Sequence, residues 1–471
     1  MLSKLRIYFG YIILLISDLI LLIFIFYLSV IFRISIIPYI FKNLPQFKFE
    51  LNQYFWIFPI FIIVFIYEGL YSKRLSFWDE IRLLIKAIFI SFVIIIFTLF
   101  ITKKGVEFSR ILITTYSIIL AIIFPIIRLS IKRMIYSLGI MTRRVLIIGS
   151  GEKAKKIIKA IESEKNLGYV IAGIIDDKKG KLLNYKIHPP INKIERYIKA
   201  SQINDVIVAK EETSTCEIEK LINYIQHKAQ NTIYIPDISG IAVSGTDIRY
   251  FFQEQTIAIE IKNNLSNPVT YLTKRTIDYI LAIILFILII PLILIIGIII
   301  KLSDKGPAIY SHKRIGKNGK EFNCYKFRTM YIDADKRLKE ILEKDPLKRE
   351  EWQKYWKLKD DPRVTKIGKF LRKTSLDELP QIFNVLKGEM SLVGPRPYLP
   401  REWDYIKDES PIIHALPPGI TGLWQVSGRN NNDYNYRITM DAWYVKNWNL
   451  WLDIVILIKT IKAVMKREGA C

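Results

Sequence analysis

The sequence predicts a membrane protein that combines α and α/β parts. It reads as a four-helix transmembrane bundle, a Rossmann-like α/β domain on the cytoplasmic side, and a further apolar helix that enters the membrane and returns ahead of a mainly α-helical domain. Three observations predict this. Hydrophobic residues make up 51% of the 471 residues while the net charge is +25, a pairing that fits membrane insertion with a basic cytoplasmic portion. Apolar runs near the roughly 20 residues that a bilayer helix needs occur in the first third and once more after residue 278. Between them, a buried-strand run leads into a glycine-rich turn and a helical pattern.

The first four runs are about Tyr8–Phe32, Tyr54–Tyr71, Leu83–Ile101 and Ile111–Ile127. The first is too long for a cleavable signal peptide and lacks a small-residue cleavage site. Lys4 and Arg6 precede it, Lys73, Arg74, Arg82 and Lys86 surround the second loop, and Arg128, Lys132, Arg133, Arg143 and Arg144 follow the fourth run. Basic loops favour the cytoplasmic side, so four spans return the chain there. Domain boundaries follow at 1–135, 136–265 and 266–471.

In the second domain, Val145–Ile148 reads as a buried strand, followed by Gly149-Ser150-Gly151-Glu152-Lys153-Ala154 and a helix through Ile161. Further strands are expected at Val170–Ile175, ending in Asp176-Asp177, and at Asp205–Ala209. This is a GxGxxA variant of the dinucleotide fingerprint, in which Gly149 and Gly151 would aim a helix N-terminus at a pyrophosphate and Asp176 would meet a ribose hydroxyl. The competing reading is a Rossmann-like fold that holds no cofactor. A short-chain dehydrogenase would also need Tyr-x-x-x-Lys, and Tyr355/Lys359 lies far outside this domain.

The fifth run, Tyr279–Ile300, is long enough to cross, but Pro291 near its middle removes a backbone hydrogen bond. Lys274 and Arg275 precede it, Lys301 and Lys305 follow, and residues 301–471 carry 33 Lys/Arg against 22 Asp/Glu. A helix that kinks at Pro291 and returns keeps that basic portion inside; a full crossing would export it. At the C-terminal end, Thr421–Arg467 holds Trp424, Trp443, Tyr444, Trp448 and Trp451, residue types that favour the headgroup level. Asp453–Met465 reads either as an amphipathic surface helix or as an ordinary core helix.

The charge does not point to nucleic acid, since no zinc-ligand spacing, RNP-type strand or isolated basic recognition helix is present. Cys216, Cys324 and Cys471 are scattered and odd in number, which fits a reducing compartment. His188, His227, His312 and His414 form no metal-ligand pattern.

The most informative stretch runs from Asp360-Asp361-Pro362-Arg363 to Gly394-Pro395-Arg396-Pro397. Within it the pair Asp377-Glu378 lies among Arg363, Arg372, Lys373 and Arg396. One reading is a capping box with Ser375 as N-cap and Glu378 three residues on. The other is phosphate chemistry: a carboxylate attacks phosphorus, its neighbour holds a metal, and the cations offset the repulsion between carboxylate and phosphate.

From about Thr273 onward the chain resembles the bacterial sugar transferases, the monotopic phosphoglycosyl transferases. The matching pieces are Lys274-Arg275-x-x-Asp278, Pro291-Leu292, Lys301–Pro307, Arg314-Ile315-Gly316 and Tyr325–Met330. Asp361–Thr365, Ser375–Gln381, Gly394–Pro397 and Pro418–Gln425 then follow in order. The architecture resembles the long, WbaP-like subfamily that charges undecaprenyl phosphate with a hexose 1-phosphate. The resemblance implies that Asp377 attacks the β-phosphate of a UDP-sugar (UDP-galactose or UDP-glucose), releasing UMP. Polyprenyl phosphate would then take the phosphosugar from the aspartate. Glu378 would hold Mg²⁺, and Lys326, Arg328, Arg372 and Arg396 would contact phosphates or the nucleotide. It also implies a re-entrant helix at Pro291, although Ile290 stands where many members have Ser. Further implications are an α-helical catalytic domain on the inner face of the bacterial cytoplasmic membrane, contact with membrane lipid, a role in exopolysaccharide, capsule or O-antigen synthesis, and a homodimer. The alternatives are a membrane-tethered nucleotide-sugar dehydratase and a non-catalytic nucleotide-sensing scaffold.

Overall fold

The computed structural model describes residues 2–40, 49–103, 108–177, 180–188, 194–200, 203–211, 215–237, 247–251, 256–260, 268–355, 358, 361–406, 408–427 and 434–466. Lys359, Asp360 and Arg467, which entered the sequence reading, lie outside them. The chain divides into two compact units, Met1–Asp237 and Ile238–Cys471.

The first unit begins with helices α1 (Leu2–Ser35), α2 (Ile37–Ile40), α3 (Ile57–Tyr67), α4 (Phe77–Ile101) and α5 (Arg110–Ser137). Serine caps start two of them: Ser76 accepts from the Asp79 N–H and Ser109 from the Leu112 N–H, satisfying donors that a helix start leaves open. Their apolar faces meet in a core that includes Phe26, Tyr54, Phe58, Phe61, Phe65, Tyr116 and Phe124. The expected second span, Tyr54–Tyr71, is the shortest: its apolar helix covers Asn52–Tyr67, about 24 Å long, against the roughly 30 Å of a bilayer core. Gly69, at φ 81°, turns the chain just past its end. Among the described residues, the four helices long and apolar enough to cross are Tyr8–Ile40, Phe77–Ile101, Arg110–Ser137 and Pro268–Ser303, and the last belongs to the second unit.

Four of the charges buried within the bundle neutralise one another. Arg128 Nε donates to Asp18 Oδ2 at 3.0 Å, and Arg128 also bonds Glu80. Lys132 Nζ reaches Glu80 Oε2 at 2.6 Å, and the Tyr71 hydroxyl donates to Asp18 at 2.7 Å. The network ties α1, α4, α5 and the turn after α3 at one level.

The same unit continues with β1 (Arg143–Ile148), α6 (Glu152–Ser163), β2 (Tyr169–Ile175), β3 (Gly180–Leu182) and β4 (Tyr185–His188). It ends with α7 (Ile194–Ala200), β5 (Asp205–Val208), α8 (Thr215–Gln226) and β6 (Asn231–Tyr234). The strands form a sheet of order β3-β4-β2-β1-β5-β6, parallel except for the β3 edge. Separate apolar clusters cover its two faces. One uses Ala154, Ile158 and Ile161 of α6; the other uses Ile194 and Ile198 of α7 and Ile225 of α8.

The second unit opens with the hairpin β7 (Asp247–Phe251) and β8 (Thr256–Glu260), then the 36-residue α9 (Pro268–Ser303). A second hairpin, β9 (Ile309–Ile315) with β10 (Glu321–Phe327), precedes α10 (Ala334–Lys344), α11 (Pro346–Tyr355), α12 (Lys366–Thr374) and α13 (Gln381–Leu386). Then come β11 (Ser391–Val393), α14 (Trp403–Ile406), α15 (Ser410–Ile413), β12 (Gly419–Thr421), α16 (Leu423–Val426), α17 (Tyr434–Lys446) and α18 (Leu450–Lys466). Helix α9 stays helical through Pro291. Its buried positions, Lys274, Arg275, Asp278, Ala282, Ile293, Ile296 and Ile300, fall on one side. The rest of its middle, including Ile287, Leu288 and Leu294, is exposed and apolar. Of the aromatics assigned to the headgroup level, Tyr444 and Trp448 are instead 0% and 2% exposed, because both donate to a buried carboxylate, Asp453. Helix α18 exposes Ile454, Ile458, Ile461 and Met465 along one side.

Replacing Arg128 by Leu leaves Asp18 and Glu80 buried without their shared cation, a loss of about 3–5 kcal/mol. Thermal unfolding of the detergent-solubilised protein should show a clear drop for Arg128→Leu, whereas a melt equal to wild type would contradict the network's role.

Candidate active site

Asp377 and Glu378 sit on a single 3-10 turn, Leu376–Glu378, between α12 and α13. Sequence suggested that the Ser375 hydroxyl caps this turn, but it makes no cap hydrogen bond. Ser375 instead adopts the left-handed conformation, φ 55° and ψ 18°, and its N–H closes the end of α12 on the Arg372 carbonyl at 3.2 Å. That reversal turns the acidic pair into a cavity of about 640 Å³ lined by Arg314, Lys326, Arg328, Arg372, Arg396 and Trp424, among others.

Each cation arrives from a different element. Lys326, near the end of β10, bonds Glu378 Oε1 at 2.7 Å. Arg328 follows the strand and donates to the Asp304 carbonyl at 2.7 Å, so it also holds the chain leaving α9. Arg372 Nε reaches the Thr329 hydroxyl at 3.0 Å. This contact depends on Gly368, where a Cβ would stand 2.0 Å from the Thr329 carbonyl oxygen; any side chain there would push α12 off the Thr329 segment. Arg396 lies between β11 and α14, its guanidinium 5.4 Å from the centre of the Trp424 ring. All four sequence-assigned cations and both carboxylates therefore share one cavity. Arg363 does not join them: it forms a two-pronged pair with Asp361 at 2.8 and 2.6 Å. Lys373 is exposed. The sequence reading gave no task to Arg314, which lines the same cavity.

Burial pushes the Asp377 carboxyl above its ordinary range, while Lys326 and Arg372 pull it down and Glu378 pushes it up. A desolvated carboxylate between cations is a competent nucleophile in its ionised form, because its charge is not quenched by water. Among the described residues no cluster of three or more His, Cys, Asp or Glu surrounds a metal-sized site. Two adjacent carboxylates still suit Mg²⁺, which is usually held by one or two carboxylates together with substrate phosphates.

Behind the cavity wall, Asp441 accepts from the Arg396 N–H at 3.2 Å and the Tyr398 hydroxyl at 2.8 Å. It fixes the Pro395-Arg396-Pro397 loop from the rear. Ahead of that loop, β11 is tied to α9: Asp278 accepts from the Ser391 hydroxyl at 2.6 Å and Lys274 donates to the Val393 carbonyl at 3.1 Å. The Lys274-Arg275-x-x-Asp278 motif is thus a docking device.

The glycine turn of the first unit is arranged differently. The N–H of Lys153 at the start of α6 donates to Glu211 Oε1 at 2.8 Å, and the Ser150 hydroxyl donates to Asp176 at 2.5 Å. The chain's own carboxylate therefore lies beside Gly149 and Gly151 at the helix N-terminus, where a pyrophosphate would have to go.

Residues 269–467 match the family model of bacterial sugar transferases, and residues 67–236 match a CoA-binding domain. The chain is 40% identical over 410 residues to undecaprenyl-phosphate galactose phosphotransferase of Salmonella typhimurium, covering 85% of this chain and 84% of that one. The chain belongs to the bacterial sugar transferase family. A second such transferase, the UDP-galactose-lipid carrier transferase of Erwinia amylovora, is 37% identical over 404 residues, covering 85% of this chain and 84% of that one. Exopolysaccharide production protein ExoY of Rhizobium meliloti is 43% identical over 221 residues, covering 47% of this sugar transferase and 95% of ExoY.

Burial raises the Asp441 carboxyl from 3.8 to about 6, against the pull of Tyr398, the Arg396 N–H and Arg437. A folded value above the unfolded one means that the penalty for the charged form is absent below about 4 and complete above about 6, at most about 3 kcal/mol. Lowering the pH from 7 to 5 should therefore raise the melting temperature of the wild type relative to Asp441→Asn, and parallel pH profiles of the two proteins would contradict this.

Proposed function

We propose that this chain transfers a sugar 1-phosphate from a UDP-sugar, UDP-galactose or UDP-glucose, to undecaprenyl phosphate and releases UMP. This is the first membrane step of exopolysaccharide, capsule or O-antigen assembly. The observation that carries the reading is the desolvated Asp377 beside Glu378 in a cavity ringed by five Lys and Arg side chains. The names of the Salmonella and Erwinia relatives favour galactose.

In the first step an Asp377 carboxylate oxygen bonds to the β-phosphorus, and the bond from that phosphorus to the bridging oxygen breaks. The electron pair leaves with UMP. In the second, a phosphate oxygen of undecaprenyl phosphate attacks the same phosphorus, forming the diphosphate and returning Asp377 as a carboxylate. Lys326 and Arg372 bracket Asp377 electrostatically, holding it ionised and offsetting phosphate charge as it approaches. Glu378 would hold Mg²⁺, which when bound neutralises phosphoryl oxygens.

The membrane arrangement supports the lipid substrate. Both ends of α9 are tied to the same catalytic domain, through Lys274 and Asp278 at one end and the Asp304–Arg328 contact at the other. A crossing helix would carry those two anchors to opposite faces. We therefore read α9 as re-entrant about Pro291, with the catalytic domain on the inner face, α18 laid on the surface by its apolar side, and the Rossmann-like sheet as scaffold.

Asp377→Asn should cut UMP release by roughly 10³-fold or more, and retention of substantial turnover would exclude the covalent route. Because the Asp377 carboxyl is raised and must be ionised, kcat/KM should fall as pH drops through a value above the ordinary carboxylate range. Lys326→Met removes a neighbour that lowers that value, so the acid limb should move to higher pH; an unmoved limb would count against Asp377 as the titrating group. In a cysteine-free background, single cysteines at positions 273 and 305 should both react only from the inner face with an impermeant maleimide. Labelling from opposite faces would rule out re-entrance.

A further inference from the structure

The cations of the cavity are not equivalent. Lys326 pairs with Glu378, Arg328 with Asp304, and Arg372 with a hydroxyl. Like Arg372, Arg314 and Arg396 form no ion pair among the described residues, and Arg314 differs in having a buried donor to spare. Arg314 donates from Nη1 to the Pro397 carbonyl at 3.2 Å, while its Nε is buried without any hydrogen-bond partner. A buried guanidinium N–H with no acceptor is costly unless something supplies one. The two arginines are forced together by an antiparallel bridge between Ile315 and Tyr398, closed by the Ile315 N–H on the Tyr398 carbonyl at 2.9 Å. Burial depresses both, and like-charge repulsion adds to it, from Arg396 on Arg314 and from Arg437 on Arg396.

Their place relative to the acidic pair is also distinct. The acids acting on Arg372 are Asp377 and Asp361, whereas those acting on Arg314 and Arg396 include Glu402 first and then Glu378. The cavity thus has a nucleophile side, with Lys326 and Arg372, and a second side with two arginines whose guanidinium groups touch no carboxylate among the described residues. A diphosphate whose β-phosphorus faces Asp377 extends its other phosphate away from the nucleophile.

We propose that Arg314 is a nucleotide-binding residue that, with Arg396, takes the α-phosphate of the UDP-sugar and holds it as the phosphate of departing UMP. This rests on the phosphoglycosyl transfer reading above. When the bond between the β-phosphorus and the bridging oxygen breaks, that oxygen keeps the electron pair and UMP gains a negative charge. A two-arginine hole meets that charge where it develops, and the Arg314 Nε–H then has its missing acceptor.

The experiment is calorimetric titration of UMP into purified full-length wild type, Arg314→Gln and Arg314→Lys, with UMP-release kinetics and melting temperatures on the same samples. Both variants should bind UMP at least about tenfold more weakly, and kcat/KM for the UDP-sugar should fall by about 10²-fold or more, with the KM for undecaprenyl phosphate unchanged. Lysine keeps the charge but loses Nε and the guanidinium fork, so it carries the same criterion if the glutamine variant does not fold. UMP affinity within twofold of wild type in a folded variant would overturn the proposal. So would an equal loss for both substrates. Wild type that binds UMP through Arg314 yet transfers no sugar phosphate would sink the reaction reading while leaving this assignment in place.

Discussion

The second unit depends on one buried interaction, the contact of Lys274 on α9 with Asp453 on α18 at 2.7 Å. A membrane-embedded apolar helix has no apolar reason to choose one register against a charged catalytic domain. A desolvated ion pair supplies that choice, because a slip by one residue would strand both charges. The pair is fully served: Asp453 also accepts from the Tyr444 hydroxyl at 2.7 Å and Trp448 Nε1 at 3.0 Å, while Lys274 also donates to the Val393 carbonyl. Val393 is the last residue of β11, immediately before Gly394-Pro395-Arg396-Pro397. The position of a catalytic-site arginine is thereby referred to the membrane helix.

That arrangement resolves a conflict built into the chemistry. Two adjacent carboxylates, several guanidinium groups and a diphosphate must share one partly dehydrated space. Pairing every acid with a base would quench the nucleophile; leaving every base free would be unstable without substrate. The chain divides the cations instead. Lys326 is committed to Glu378, Arg328 and Arg372 are held by a backbone carbonyl and a hydroxyl, and Arg314 keeps a buried Nε with no hydrogen-bond partner.

Much of this was legible in the sequence, for identifiable reasons. The buried strands at Val145–Ile148 and Asp205–Val208, the long apolar helices and the cluster of Asp377, Glu378, Lys326, Arg328, Arg372 and Arg396 announce themselves through runs or motifs. What stayed hidden depended on partners distant in sequence. Tyr444 and Trp448 carry the composition of a headgroup belt, yet a carboxylate brought by α18 draws both inward. SLDE has the letters of a capping box, but the left-handed turn at Ser375 follows from ending α12 against the Thr329 segment. Arg314 belongs to a visible motif without a visible task, since its neighbour Arg396 is 82 positions away.

The unequal treatment of the two glycine-rich features makes the same point from the other side. In the first unit, Glu211 meets the N-terminus of α6 with a carboxylate from its own chain, so the positive end of the helix is already answered. In the second unit, no carboxylate among the described residues pairs with Arg314 or Arg396, and the polar end of Arg314 is left with a donor unanswered. Both places could receive a phosphate on charge grounds alone. They differ in whether the fold supplies its own anion. Under the proposed function, the cavity around Asp377 is the one of the two that leaves a buried donor open to a phosphate oxygen.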